Sequence, residues 1–277
     1  MLKQRIITAL VLLALLIPAL LTASPWPFAA FCAVLMAAAA WEWARLNGAG
    51  GRSWWLAAVL LGCCALALWV GWGSAAPNLL WWLALLVWGL MGAWVLRAGV
   101  VAWPHHSLLL RWLLGLVLLW TAWLAILNAR QVGINFMLSV FCIVWMADIA
   151  AYFGGRALGK HKLAPAISPG KSWEGVWSGM LGVFVLAGIW LFVDRSFVLD
   201  SQSIFARLLE RLGLLGFALV LVLLCALSVV GDLFESLVKR SAGAKDSSAL
   251  LPGHGGVLDR FDALLPVVPV ALAFASL

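Results

Sequence analysis

Apolar runs long enough to cross a bilayer recur along this chain, and they constrain its fold more than any other feature. A helix rises 1.5 Å per residue, so about 20 apolar residues span the roughly 30 Å hydrocarbon layer. Nine such spans are expected, near 5–23, 27–45, 54–73, 79–96, 109–128, 134–152, 174–193, 212–234 and 261–277. The last is short and contains Pro266 and Pro269, which neighbours must accommodate. Composition agrees: 65% of residues are hydrophobic and only 10% charged, and the mean hydropathy is +1.08, far from a soluble domain. The expected fold is therefore all-α, a polytopic integral membrane protein. Lys3 and Arg5 before a run ending in LTAS also fit a secretory signal, but the run is long for one and is read as a retained helix.

Basic residues set the expected orientation. With a cytoplasmic N-terminus, Lys3, Arg5, Arg45, Arg52, Arg97, Arg111, Arg156, Lys160, Lys162, Lys171, Lys239, Arg240, Lys245 and Arg260 lie inside, 14 of the 18 Lys and Arg. Only Arg130, Arg195, Arg207 and Arg211 lie outside. The formal charge of +7 is then topological, and no nucleic-acid partner is needed. Many of the 19 tryptophans, such as Trp26, Trp41, Trp43, Trp54, Trp55, Trp72, Trp81 and Trp103, stand near span ends and read as interfacial anchors. The five cysteines fall inside apolar spans and read as small core residues. Ile204, Phe205, Leu208 and Leu209 suggest a short outer helix lying on the membrane surface.

Chemistry concentrates after residue 134, so the chain divides into N-terminal membrane helices (1–133) and catalytic membrane helices (134–277) with polar cytoplasmic loops at 153–173 and 235–260. In DIAAYFGGRALGKHKLAPAISPGKSWEG, Asp148 and Tyr152 share one helix face, and an ionisable residue at that depth is a functional candidate. Gly154, Gly155, Gly159 and Gly170 permit tight turns among Arg156, Lys160, Lys162 and Lys171, a combination suited to a polyanion. GGRALGKH spells a P-loop pattern only superficially: His161 replaces the magnesium-binding Ser or Thr, and a membrane helix replaces the preceding strand. Ser172 can cap the following helix, with Glu174 in its first turn and Lys171 beside its free N–H groups.

The second block begins at GDLFESLVKR, which places Asp232, Glu235, Ser236 and Lys239 on one helix face. Lys245, Asp246, a turn at Gly253, Gly255 and Gly256, and then Asp259 and Asp262 follow. Carboxylates mixed with Lys and Arg suit a magnesium–phosphate site, although a plain solvated loop stays open on composition alone.

The stretch SLVKRSAGAKDSSALLPGHGGVLDRFD, Ser236 to Asp262, resembles the signature of the phosphatidate cytidylyltransferase (CDP-diglyceride synthetase) family: S-x-x-K-R, then K-D, then P-x-H-G-G-x-x-D-R-x-D. The upstream polar block is also similar. The resemblance implies that CTP and phosphatidate give CDP-diacylglycerol and pyrophosphate with Mg2+, in a multi-pass cell membrane protein of the bacterial inner-membrane type. It implies magnesium ligation among Asp232, Asp246, Asp259 and Asp262, without saying which bind directly. Lys239, Arg240, Lys245 and Arg260 would hold the triphosphate, and His254 would serve the turn or a phosphate. Asp148, Tyr152, Arg156, Lys160, Ser168, Lys171, Ser172, Glu174 and Ser236 would complete the nucleotide or lipid-phosphate pocket. Membrane lipids and a second copy of the chain are further candidate partners. A CTP-dependent lipid kinase and an anion transporter are the alternative readings.

Overall fold

A computed structural model describes residues 2–277. Its helices are α1 (Leu2–Leu21), α2 (Trp26–Leu46), α3 (Trp54–Trp69), α4 (Asn78–Ala102), α5 (Leu108–Val132), α6 (Ile134–Leu158), α7 (Trp173–Ser196), α8 (Ile204–Ser241), α9 (Leu258–Phe261) and α10 (Leu264–Ala275). Among the described residues, seven helices are long and apolar enough to cross a membrane, or eight if the bent α4 counts as one span. Asn78–Trp94 of α4 and the segment Gly99–His105, which runs past the end of α4, meet at 117°, with Gly99 at φ 66.

The ninth expected span differs most. Its segment forms α9 and a 12-residue α10, the latter about 18 Å long and too short to cross unaided. Nearly every residue of α10 is buried, because α4, α5 and α8 surround it. Pro266 and Pro269 are thus covered by protein, as the freed backbone groups require.

A second correction concerns the polar block after α6. Lys162–Ala164 (β1) pairs antiparallel with Ser168–Ser172 (β2), so a small hairpin interrupts the helical fold. Gly154 and Gly155 lie inside α6 and make no turn. They serve instead a close helix crossing with α7. A Cβ on Gly154 would overlap Ser178 Oγ, and one on Gly179 would stand 2.8 Å from the Ala147 carbonyl oxygen. Small residues on both faces let two backbones approach, which is how apolar helices associate where burial from water supplies no drive. The first five residues of GGRALGKH are the last of α6, so the preceding strand and the phosphate loop of a P-loop are both missing there.

The helix expected on the outer side begins α8 and ends at Gly213, φ 65. Its apolar side faces protein: Ile204, Phe205 and Leu208 are buried, with Phe205 against Trp190. The expectation of a helix resting on lipid misses that cover. Several tryptophans read as anchors are also core residues. Trp43, Trp81 and Trp103 are buried, whereas Trp26, Trp54 and Trp55 are exposed. Trp43 packs against Trp103 and Phe234, and its indole donates to the Arg111 carbonyl. The cysteines are all free, with Cys32, Cys64 and Cys225 buried.

Helix ends assigned to one side by charge come together in space. Arg5 and Arg45 reach loop 247–253, and Lys171 meets Asp232. At the opposite end, Arg130 donates to the Leu20 carbonyl and Asn135 binds Asp194 and Ser201.

Candidate active site

Three elements and the hairpin enclose a cavity of about 470 Å³. From α6 come Asp148, Tyr152 and Arg156, one turn apart along a single face. Ser168, Lys171 and Ser172 come from β2, and Asp232 from α8. Seven residues predicted to bind substrate or metal therefore share one lining. Its remaining wall is apolar or small: Val176, Met180, Cys225 and Val229 line the same space. Such a lining accepts a molecule with an ionic head and a hydrocarbon body.

Local sequence explains the positions. Ser172 adopts extended backbone and accepts the Gly175 N–H at 3.2 Å, capping α7 as expected. Glu174 turns back to the hairpin, where its carboxylate meets the His161 ring at 2.6 Å and the His161 N–H at 3.2 Å. Glu174 thus fastens the hairpin to α7 and does not line the cavity. β2 then presents Lys171 inward, with Nζ 2.6 Å from Asp232 Oδ2. The other Asp232 oxygen accepts from Ser236 Oγ at 3.2 Å. Tyr152 and Arg156 stand within 3.5 Å of each other and are largely exposed. Lys160 is exposed outside the cavity lining.

Asp262 reaches the charged groups of this lining through close backbone packing. A Cβ on Gly231 would overlap the Asp262 carbonyl oxygen, so glycine there lets α8 meet the α9–α10 link. The Asp262 carboxylate consequently lies in the field of Asp232, Lys171 and Asp148. Its Oδ1 accepts the Ala263 N–H at 2.7 Å.

The other predicted residues form a second cluster. Lys239 Nζ lies 2.5 Å from Glu235 Oε2 and 2.7 Å from Asp259 Oδ1. Asp259 also accepts from Ser247 Oγ at 3.0 Å, Ser247 N at 3.1 Å and Gly256 N at 2.8 Å. Burial alone would raise its pKa, but the contacts with Glu235, Lys239 and the Gly256 N–H outweigh that and hold it at about 2. The resemblance counts Asp259 among the possible magnesium ligands; in the fold its oxygens accept from Ser247, Gly256 and Lys239. Lys239 is likewise held between two carboxylates.

Asp246 and Lys245 are exposed on the loop. Arg240 donates to the Ala244 carbonyl, and Arg260 donates to the His254 carbonyl at 2.6 Å. His254 closes the turn through its N–H to Leu251, and its Nδ1 is buried without a hydrogen-bond partner among the described residues. Among those residues, no three His, Cys, Asp or Glu side chains are arranged to hold a metal ion by themselves. Magnesium commonly takes one or two carboxylates and completes its shell with phosphate and water, so the Asp232–Asp262 end fits that ion chemically.

Sequence reasoning missed Glu42. This fully buried carboxylate on α2 accepts from Ser247 Oγ, Ser248 Oγ, Val257 N and Leu258 N. The signal was present, since Glu42 is an acidic residue inside an apolar span.

Comparison with known proteins gives the family. A family model described as the cytidylyltransferase family matches residues 3–277. A phosphatidate cytidylyltransferase of Pseudomonas aeruginosa is 42% identical over 283 aligned residues, covering 99% of this chain and 96% of the relative. The Haemophilus influenzae protein of that name is 49% identical over 137 residues, 50% of this chain and 44% of the relative. One from Brucella suis is 42% identical over 145 residues, 52% and 48% respectively. With its whole length matched and its signature residues gathered at one end of the helices, this chain belongs to the cytidylyltransferase family.

Proposed function

We propose that the chain is an integral membrane nucleotidyltransferase that converts CTP and phosphatidate to CDP-diacylglycerol and pyrophosphate. The observation that carries this reading is the mixed lining of one cavity, in which Lys171 and Asp232 stand with Val176, Met180, Cys225 and Val229. A lipid phosphate fits the charged groups and the start of its acyl chains the apolar ones. Soluble anions need no such wall.

In the reaction, a phosphate oxygen of phosphatidate forms a bond to the α-phosphorus of CTP as the bond to the β-bridging oxygen breaks. The attacking phosphate is already ionised at neutral pH, so no general base is required. The task is to bring two polyanions together in line. Lys171 and Arg156 neutralise the lipid phosphate, while Ser168 donates to it. The exposed cations Arg240, Lys245 and Arg260 receive the triphosphate and the departing pyrophosphate. Lys239 keeps Asp259 in place between the loop and α8. Asp232 and Asp262, with Asp148 beside them, would hold Mg2+; when bound, the ion supplies charge neutralisation at the reacting phosphates. The cavity's charged groups face the cytoplasm, with the N-terminus on the same side, which is what the distribution of Lys and Arg supports. On this reading the protein sits in the cell membrane, in bacteria the inner one.

Purified protein supplied with phosphatidate and CTP labelled at the α or the γ phosphorus tests the reading. Label from the α position should enter lipid, and label from the γ position should leave as pyrophosphate. Label from the γ position in lipid would establish a kinase instead. Absence of turnover with either would favour a transporter.

A further inference from the structure

A carboxylate buried in an apolar helix is costly unless fixed partners compensate it. Glu42 is 0% exposed, and its partners come from one loop more than 200 residues away in sequence. Oε1 accepts from Ser248 Oγ and from Val257 N at 3.0 Å. Oε2 accepts from Ser247 Oγ at 3.1 Å and from Leu258 N at 2.7 Å. Each oxygen therefore joins the two limbs of the glycine turn, one before it and one after. Gly256 makes room for this arrangement, since a Cβ there would overlap Ser247 Oγ and stand 2.6 Å from Glu42 Oε1. One turn along α2, Arg45 donates to the Ser247 carbonyl at 2.7 Å.

The contact continues toward the reaction site. Ser247 Oγ lies between Glu42 Oε2 and Asp259 Oδ2, at 3.1 and 3.0 Å. Its single proton can serve only one carboxylate at a time. The Ser247 and Gly256 N–H groups hold Asp259 independently. Asp259 then pairs with Lys239 and Lys239 with Glu235. A polar chain thus runs from α2, through the loop, to the face of α8 that also carries Asp232.

We propose that Glu42 is a positioning residue: it staples both limbs of loop 246–258 to α2 and so sets where the flanking cations Lys245 and Arg260 stand, how Asp259 is held and where Asp262 enters the site. This rests on the cytidylyltransferase reading for its effect on turnover, but not for its effect on the loop. Every donor to Glu42 belongs to the loop or the start of α9. Removing the carboxylate should free that segment while leaving α6 and α7 packed.

Glu42→Gln preserves shape but turns one acceptor oxygen into an NH2 that faces two donors. Hydrogen exchange of the full-length protein in detergent, read by mass spectrometry, should rise across residues 246–258 and stay at the wild-type level across 134–196. Turnover should fall about 10- to 100-fold, as for a small misplacement of reacting groups. The loss should be in kcat for protein eluting as wild type, with KM for phosphatidate within about twofold, because the loop does not line that cavity. Ser248→Ala removes one donor and should shift both readouts in the same direction by less, which keeps the test intact if Glu42→Gln fails to fold. Wild-type exchange at 246–258, or an equal rise over 134–196, would overturn the proposal. Absence of CTP and phosphatidate turnover in the wild type would instead defeat the functional reading, leaving the exchange pattern to decide the role of Glu42.

Discussion

Replacing Gly179 by alanine tests the α6–α7 contact that shapes the cavity. The added Cβ would stand 2.8 Å from the Ala147 carbonyl oxygen, a backbone atom that cannot rotate away, and 3.5 Å from Ala151 Cβ. Ordinary contact begins at 3.4 Å, so the helices must part locally by about 0.6 Å. Overpacking of this kind costs about 1–3 kcal/mol, against a gain of roughly 0.5–1 kcal/mol from replacing a helical glycine. Gly188→Ala, on the same helix with nothing within 4 Å, retains only the gain. The two variants should therefore differ by about 1–3 kcal/mol. At roughly 2–4 °C per kcal/mol for a chain of this size, their unfolding midpoints should be separated by several degrees, with Gly179→Ala below wild type or near it and Gly188→Ala above. Thermal unfolding followed by circular dichroism in one detergent provides the comparison. Turnover adds a second readout: Gly179, Gly175 and Ala147 line the cavity, so parting the helices should lower kcat/KM for phosphatidate only in Gly179→Ala. Equal midpoints and equal turnover would refute the close crossing.

Two further outcomes separate the site's parts. Asp232→Asn should leave the unfolding midpoint near wild type, since this half-buried side chain is bonded, among the described residues, to Lys171 and Ser236 alone. Turnover should fall by roughly 10² to 10³, as for loss of one electrostatic contact made in the transition state. Asp259→Asn should also lose turnover but lower the midpoint as well, because breaking a buried ion pair costs about 3–5 kcal/mol; the reverse pattern of midpoints would exchange the two assignments. For topology, Val198→Cys and Ala249→Cys in a cysteine-free background should react with impermeant reagents from opposite sides of the membrane, position 249 only from the cytoplasm. Both positions are exposed, whereas Ser247 is buried and would report poorly. Labelling of both from one side would refute the orientation.

Eight of the apolar runs correspond to long helices because a span is a local property: enough consecutive nonpolar residues suffice, wherever the neighbours lie. The cavity's residues were legible for a related reason. Asp148 and Tyr152 follow helical spacing, and Ser172 caps a helix three residues before its donor. What stayed hidden depends on partners distant in sequence. The glycines near 154 look like turn formers because loops and close helix crossings both favour a missing Cβ; only Ser178 and the α7 backbone distinguish them. The interior place of α10 was hidden likewise, since a hydrophobic stretch reads the same against lipid as against other helices.

Asp259 and Glu42 show the same limit for charge. On spacing alone, Asp259 and Asp262 are equivalent, one helical turn apart. The fold divides them: Gly231 brings Asp262 beside Asp232, while Ser247, Gly256 and Lys239 occupy Asp259. Glu42 explains how that division persists. A lone carboxylate in an apolar helix demands donors, and here the demand is met by the limbs of the very loop that carries the signature. The N-terminal helices, which carry little of the signature, therefore take part in the site by fixing its loop. Arg5 and Thr8 of α1, donating to the Gly253 and Pro252 carbonyls, extend the same hold to the turn itself.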